Sequence, residues 1–165
     1  MTTLHLVIGK IASGKSTLVS RLSQQEKTVA IGEDSWLSKL HGEEIESIAD
    51  YVRLSTNLRT VLSPHIVSLL ENGVSVVLDF QANTYEARAW MKELALQAGV
   101  ESQFHFLDVP DKVCKERLKL RNEQGEHAFS ASEEVYDRIT SYFQTPDEKE
   151  NLNIIHYPWP DEQDR

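Results

Sequence analysis

GKIASGKS, residues 9–16, lies between a short apolar run and a segment with helical character. Residues 4–8 (LHLVI) are mostly apolar and end in β-branched side chains, which predicts a buried strand. Residues from 14 to about 25 are predicted to form a helix. Gly9 and Gly14 allow a tight backbone turn between these two elements. The stretch therefore predicts a strand–loop–helix unit that opens an α/β fold.

The spacing of glycine, lysine and serine in this stretch fits G-x-x-x-x-G-K-[ST], the phosphate-binding loop. Such a loop aims successive backbone N–H groups inward, and the helix after it adds its positive N-terminal end. Lys15 is predicted to reach the β- and γ-phosphates of a nucleotide, and the Ser16 hydroxyl to ligate Mg²⁺. We therefore expect ATP and Mg²⁺ as cofactors, bound by Gly9, Lys10, Ile11, Ala12, Ser13, Gly14, Lys15, Ser16 and Thr17.

Strand and helix patterns alternate along the rest of the chain. Strand candidates are residues 29–31, 74–78, 104–107 and 152–156, and helix candidates are residues 43–72, 84–97, 111–123 and 132–143. Pro64 interrupts the longest helical pattern, so a kink or two helices is expected there. Alternating strands and helices imply right-handed βαβ units. The predicted fold is an α/β three-layer sandwich with a mostly parallel sheet of about five strands, forming one domain over residues 1–165.

Composition and charge restrict the class of protein. Apolar residues make up 40% of the 165 residues and charged residues 26%, which is ordinary for a globular domain. The formal net charge of −9 argues against a protein whose main task is to neutralise the phosphates of a long nucleic acid. The only cysteine is Cys114, so the fold does not depend on an oxidising compartment. The sequence shows neither a signal peptide nor a membrane span, so a cytoplasmic location is expected.

Two carboxylates follow predicted strands at the sheet edge where open α/β folds bind ligands. Asp34 lies three residues beyond the strand candidate 29–31, where it is placed to accept the proton of an attacking hydroxyl. Glu33 is an alternative for that role, and helix capping is a structural alternative for Asp34. Asp79 follows the most apolar strand candidate and is predicted to bind Mg²⁺ together with Ser16. The structural alternative for Asp79 is a residue that ends the strand.

Positive charge is concentrated in residues 112–121, which hold five basic side chains and one acidic one. Arg117 and Arg121 are four residues apart, so on a helix they share a face and can hold phosphate from one side. Lid arginines of this kind stabilise the charge of a phosphoryl-transfer transition state. The alternative is a solvated helix face whose cations pair with nearby carboxylates. We predict a catalytic role for both arginines, on a helical lid over about residues 117–130.

These features resemble the small P-loop kinases related to the polynucleotide 5′-kinase domain, zeta toxins and chloramphenicol phosphotransferase. The resemblance covers about residues 4–122 and is carried by residues 9–17, Asp34, VVLD at 76–79, EAR at 86–88, and FLDVP at 106–110 leading to Arg117, Arg121 and Asn122. It implies that Asp34 is the general base toward the acceptor hydroxyl and that Arg117 and Arg121 hold the donor phosphates. Residues 80–83 depart from the pattern, because they lack an arginine that some relatives carry.

The resulting hypothesis is a kinase that transfers the γ-phosphoryl group of ATP to a hydroxyl of a small-molecule acceptor. A 5′-hydroxyl polynucleotide kinase is the first alternative, although no basic track extends beyond residues 112–121. A nucleotide-dependent switch or toxin-type protein that binds a protein partner is the second, and Asp34 would then be dispensable. No membrane partner is expected, and the sequence leaves both the acceptor and the oligomeric state open.

Overall fold

The computed structural model describes residues 1–125 and 131–160 of the chain. Its strands are β1 (Thr3–Ile8), β2 (Thr28–Gly32), β3 (Ser75–Asp79), β4 (Glu101–Asp108) and β5 (Ile154–Pro158). They form one sheet in the order β2-β3-β1-β4-β5, and each neighbouring pair is parallel. The predicted α/β fold with about five strands is confirmed, and this sheet is wholly rather than mostly parallel.

Six α-helices accompany the sheet, namely α1 (Lys15–Ser23), α2 (Glu33–His41), α3 (Ile48–Glu71), α4 (Tyr85–Ala98), α5 (Asp111–Gln124) and α6 (Glu133–Thr140). Short 3₁₀ turns lie at Gly42–Glu44 and Glu148–Glu150. The hydroxyls of Ser47, Thr84 and Ser132 cap α3, α4 and α6 by accepting backbone N–H groups of the first turns. None of the helices within the described ranges is long and apolar enough to cross a membrane.

Helices cover both faces of the sheet, so the layers are helix, sheet and helix. Leu4, Leu6 and Ile8 of β1 belong to a buried cluster with the apolar faces of α3 and α4. The intervening Val7 packs with α1 through Leu18, Val19 and Leu22, because side chains alternate between the two faces of a strand. The strand order places β1 between β3 and β4, so the loop after β1 emerges at the middle of the carboxyl edge.

The longest helix differs from the sequence prediction. A kink or two helices were expected at Pro64 in a segment starting at residue 43. The helix α3 begins at Ile48 and continues through Pro64, so the two-helix alternative is wrong. Proline removes one N–H donor to the preceding turn. Pro64 is exposed, so water can hydrate the carbonyl that loses its donor, while buried Leu62 and Ile66 hold the opposite face on the sheet. The helix α2 was not anticipated, because residues 33–41 hold few apolar side chains.

Three aligned polar side chains lie on the α1 side of the sheet. Nδ1 of His5 is 3.1 Å from Nε2 of His105, and Nδ1 of His105 is 2.9 Å from the Tyr157 hydroxyl. Burial, followed by the nearby His5 and Arg21 charges, lowers the pKa of His105 from 6.5 to about 4. The native protein therefore holds His105 neutral across the range in which an exposed histidine takes up a proton.

Acidification is expected to destabilise the protein between pH 6.5 and about 4. The unfolded chain binds a proton at His105 near pH 6.5, whereas the native state binds it only near pH 4. The contribution of His105 to the free energy of unfolding is therefore complete above pH 6.5 and decreases as the pH is lowered through this window. Protonation of this residue is expected to lower the free energy of unfolding by as much as about 3 kcal/mol. Urea denaturation across this pH range measures it. In His105→Gln the free energy of unfolding should depend less on pH than in wild type. His65 is exposed, so His65→Gln should keep the wild-type dependence. The same pH dependence in all three proteins would contradict the prediction.

Candidate active site

The loop between β1 and α1 adopts a backbone that only particular residues tolerate. Gly14 has a φ of 100°, in the left-handed region that favours glycine. A Cβ at Gly9 would lie 2.4 Å from the Ser13 hydroxyl, so a side chain at this position would force the buried Ser13 side chain to move. The N-cap residue of α1 is Gly14, which has no side chain to cap the helix. Its first N–H groups and its positive dipole end therefore suit an anion rather than an internal partner.

Lys15 folds back over this loop. Its Nζ donates to the carbonyl oxygens of Gly9, at 2.8 Å, and Lys10, at 3.0 Å. Burial lowers the pKa of Lys15, and the charges of Asp79 and Asp34 act in the opposite direction. The ammonium group is therefore held by the phosphate-loop backbone and is influenced by the charges of the two carboxylates that the sequence singles out.

Asp34 and Asp79 come together at the carboxyl edge of the sheet. Asp79 is the last residue of β3 and pairs in register with Gly32, the last residue of β2, while Asp34 lies in the first turn of α2. Partial desolvation raises the pKa of Asp34, although its side chain is still open to solvent, and the neighbouring Glu33 charge raises it further. Burial also raises the pKa of Asp79, with Lys15 opposing the shift. The strand ends thus assemble a cation and two carboxylates from three separate parts of the sequence.

The structure distinguishes Glu33 from Asp34. Glu33 is only 3% exposed and accepts hydrogen bonds from the Tyr51 hydroxyl at 3.0 Å, the Ser55 hydroxyl at 2.6 Å and Arg59 Nη2 at 3.2 Å. Asp34 is exposed, and its carboxylate has a single longer contact, 3.4 Å from the Tyr51 hydroxyl. A carboxylate that already accepts three donors is poorly suited to take a proton from a substrate. The geometry favours Asp34 over Glu33 as the base.

Both arginines of the predicted lid face the phosphate loop. Arg117 Nη1 lies 3.4 Å from the carbonyl oxygen of Ala12, and its guanidinium stacks 4.9 Å from the ring centre of Trp159. Arg121 has a buried Nε without a hydrogen-bond partner in residues 1–125 and 131–160, and its charge lowers the pKa of Lys15. Trp159 was not recognised from the sequence, because nothing in its spacing links it to Arg117.

The remaining basic residues of this cluster have other surroundings. Lys115 pairs with Glu133 at 3.1 Å and Asp137 at 2.9 Å on α6, and Lys112 and Lys119 are exposed. Lys10 of the loop itself pairs with Asp111 at the start of α5, at 2.9 Å. The solvated-face alternative thus describes part of the cluster, and Arg117 and Arg121 are the members brought to the loop. Residues 126–130 of the predicted lid lie outside the described residues.

Ser16 and Asp79 carry the hydroxyl and carboxylate oxygens that Mg²⁺ prefers as ligands, and they stay the predicted pair for this ion. The Ser16 side chain is exposed at the start of α1, so its hydroxyl is available to a ligand. No group of three or more histidine, cysteine or acidic side chains able to hold a metal occurs within residues 1–125 and 131–160. Mg²⁺ does not need one, because it keeps several waters and is held by one or two protein ligands together with substrate phosphates.

Arg88 anchors the segment that follows Asp79. It is wholly buried, and its guanidinium pairs with Glu150 at 2.9 Å while donating to the carbonyl oxygens of Ala82 and Gln144, both at 2.9 Å. These bonds tie the loop between β3 and α4 to the segment before β5. The ion-paired role of Arg88 is therefore structural, and it supports the loop beside the candidate site.

We expect Arg88→Met to lower the free energy of unfolding by about 3–5 kcal/mol. The substitution leaves the Glu150 carboxylate without its buried partner and removes the N–H groups that donate to the Ala82 and Gln144 carbonyls. Urea denaturation followed by circular dichroism measures the change. Arg53→Met is the control, because Arg53 is exposed and lies 3.6 Å from Asp50, so a loss below about 1 kcal/mol is expected. Similar losses in both variants would contradict a special role for Arg88.

Comparisons with known proteins agree with this architecture. A family model described as an AAA domain matches residues 4–146. No curated protein shows significant sequence similarity to the chain. A solved structure of a candidate kinase from Chloroflexus aurantiacus superposes with a TM-score of 0.73 at 18% identity, covering 95% of this chain and 85% of that one.

Two further solved structures share the fold. A chain of the Pnkp1/Rnl/Hen1 RNA repair complex has a TM-score of 0.71 at 19% identity. The superposition covers 90% of the present chain and 46% of the chain from the complex. The Mycobacterium tuberculosis APS kinase CysC, in complex with AMPPNP and APS, has a TM-score of 0.61 at 23% identity, covering 95% and 88% of the two chains. At such identities these similarities establish the fold alone.

Proposed function

The chain belongs to the AAA domain family and has a P-loop kinase-like fold, and from this premise we propose that it transfers the γ-phosphoryl group of ATP to a hydroxyl of a small molecule. The observation that carries the proposal is the convergence of Lys15, Asp34 and Asp79 at one sheet edge, with Arg117 and Arg121 facing the same loop. Phosphoryl transfer requires cations that bind the phosphates and, beside them, a carboxylate that accepts the proton of the attacking hydroxyl.

The reaction assigns one task to each side chain. The acceptor oxygen attacks the γ-phosphorus and loses its proton to the Asp34 carboxylate, while the bond from the γ-phosphorus to the bridging oxygen breaks and ADP leaves. Lys15, Arg117 and Arg121 stabilise the negative charge on the transferred group and on the leaving oxygen. Ser16 and Asp79 would hold Mg²⁺, which would supply positive charge to the β- and γ-phosphates.

Charge around Asp34 supports a small acceptor over a nucleic-acid strand. Residues 33–50 hold six acidic side chains and one lysine, so this side of the site is acidic. A polynucleotide would bring further negative charge to this surface, whereas a neutral or cationic alcohol would not. The basic side chains that face the loop from α5 lie on the side assigned to ATP.

A phosphoryl-transfer screen tests the proposal. Protein, Mg²⁺ and γ-labelled ATP are incubated with sugars, nucleosides and amino alcohols, and in parallel with 5′-hydroxyl oligonucleotides. Transfer to a small alcohol is expected, and transfer only to oligonucleotide ends would replace it with the polynucleotide kinase alternative. Tight ATP binding without transfer to any acceptor, together with nucleotide-dependent capture of a protein, would instead support the switch alternative. Absence of ATP binding in calorimetry would refute all three.

A further inference from the structure

Gly9 is the first residue after β1, so the strand ladder provides no partner for its backbone groups. The side-chain amide of Asn83 takes their place: Gly9 N–H donates to Asn83 Oδ1 at 3.1 Å, and Asn83 Nδ2 donates to the Gly9 carbonyl oxygen at 2.9 Å. Asn83 comes from the loop between β3 and α4, and it is buried. One side chain thus satisfies both polar groups at the entrance to the phosphate loop.

The Gly9 carbonyl also accepts a hydrogen bond from Lys15 Nζ at 2.8 Å. Its oxygen therefore joins Asn83 to the ammonium group that is assigned to the phosphates. A carbonyl oxygen has two lone pairs, and these two donors use both. Any rotation of the Gly9 peptide would move the anchor of Lys15 together with the first N–H of the loop.

We infer that Asn83 is a positioning residue for nucleotide binding, which holds the Gly9 peptide and through it directs Lys15 toward the phosphates. The inference rests on the proposed function for the identity of the ligand. Asparagine suits this task because a short amide presents one donor and one acceptor at a fixed separation. Aspartate at the same place would keep the acceptor but lose the donor to the Gly9 carbonyl.

The surroundings of Asn83 hold it firmly in place. Its own carbonyl oxygen accepts the Gln144 N–H at 2.8 Å, and the next residue, Thr84, caps α4 by accepting the Ala87 N–H at 3.2 Å. Gln144 is held in turn by Arg88, which also binds the Ala82 carbonyl. The backbone of Asn83 is thus held by its own hydrogen bond and by those of the residues before and after it, so its side chain starts from a fixed point, as a positioning group must.

Calorimetric titration with ATP and Mg²⁺ tests the inference in wild type, Asn83→Ala and Thr84→Ala. Asn83→Ala is expected to weaken ATP binding about tenfold, since it leaves the buried Gly9 N–H without its partner and removes one of the two donors to the Gly9 carbonyl, so that the peptide that anchors Lys15 is free to rotate. Thr84→Ala removes a helix cap one residue away and touches neither Gly9 nor Lys15, so it should leave ATP affinity within about twofold. Unchanged affinity in Asn83→Ala, or an equal loss in both variants, would overturn the inference.

A double-mutant cycle with Lys15→Ala tests whether Asn83 acts through the lysine. We expect the tenfold effect of Asn83→Ala to fall below about twofold in the Lys15→Ala background, because the group being positioned is gone. If the loss of ATP affinity in the double variant equals the product of the losses in the two single variants, Asn83 acts independently of Lys15. That result would overturn the positioning role.

Hydrogen exchange at the Gly9 amide separates this inference from the proposed function. The Gly9 N–H should be protected in wild type, Thr84→Ala and Asn83→Asp, and should exchange faster in Asn83→Ala. The isosteric Asn83→Asp also serves if Asn83→Ala does not fold, and it should lose ATP affinity while keeping the Gly9 amide protected. Wild-type protein that binds no ATP would refute the proposed function. Wild-type protein that binds ATP, with Asn83→Ala and Asn83→Asp binding it equally well, would refute only the role of Asn83.

Discussion

Lys15→Ala is expected to weaken ATP binding by at least about 30-fold and to abolish phosphoryl transfer. The Lys15 ammonium lies over the backbone of its own loop, where it donates to the Gly9 and Lys10 carbonyls close to the start of α1, whose N-cap residue is a glycine. Removing one partner of a desolvated charge pair costs about 2 kcal/mol or more, which corresponds to this factor. Calorimetry with ATP and Mg²⁺ measures the affinity, and labelled ATP measures the transfer.

Lys27→Ala provides the matched control for this charge change. Lys27 lies in the turn between α1 and β2, at the opposite edge of the sheet from the loop, and its side chain is exposed. Its loss alters the net charge by the same amount and should change ATP affinity less than about twofold, because exposed charges beyond a Debye length are screened. If Lys15→Ala binds ATP as tightly as Lys27→Ala, the phosphate role of Lys15 is wrong.

Asp34→Asn is expected to lower turnover by about 10²- to 10⁴-fold while ATP affinity stays within about threefold of wild type. An amide of the same shape cannot accept the acceptor proton, and general-base catalysis contributes factors of this size. The carboxylate is not part of the phosphate loop, so the ATP-binding groups remain in place. Turnover with the acceptor identified by the screen and calorimetry with ATP measure the two effects separately.

Glu33→Gln distinguishes the two neighbouring carboxylates. Glu33 accepts from Tyr51, Ser55 and Arg59, so its substitution should lower the free energy of unfolding, because it weakens the charge-assisted bonds that join α2 to α3. Turnover of the folded fraction should fall much less than in Asp34→Asn. Full turnover in Asp34→Asn would remove Asp34 as the base, and a selective loss of turnover in Glu33→Gln would transfer the role to Glu33.

Local features of the chain were predicted well from the sequence. Residues 9–16 predicted the strand–loop–helix unit, and the spacing of Arg117 and Arg121 predicted a shared helix face, because both depend on backbone geometry within a few neighbouring residues. The helix starts after Thr84 and Ser132 were predicted for the same reason, since capping is local. The possibility of two helices divided at Pro64 was wrong, because the burial of Leu62 and Ile66 against the sheet outweighs one missing hydrogen bond on the exposed face.

The sequence by itself determined the class of fold, the phosphate loop and a short set of candidate residues, since periodicity and motif spacing act over short distances along the chain. Only the tertiary structure shows that Glu33 is occupied while Asp34 stays open to a ligand, because the three donors that occupy Glu33 come from α3, 18 to 26 residues away. Asn83 could not be singled out for the same reason: its partner Gly9 lies 74 residues earlier, and parallel strands bring the two together. Contacts between distant parts of the chain determine which polar groups are hydrogen-bonded within the fold and which stay available to a ligand. No local sequence pattern encodes such contacts.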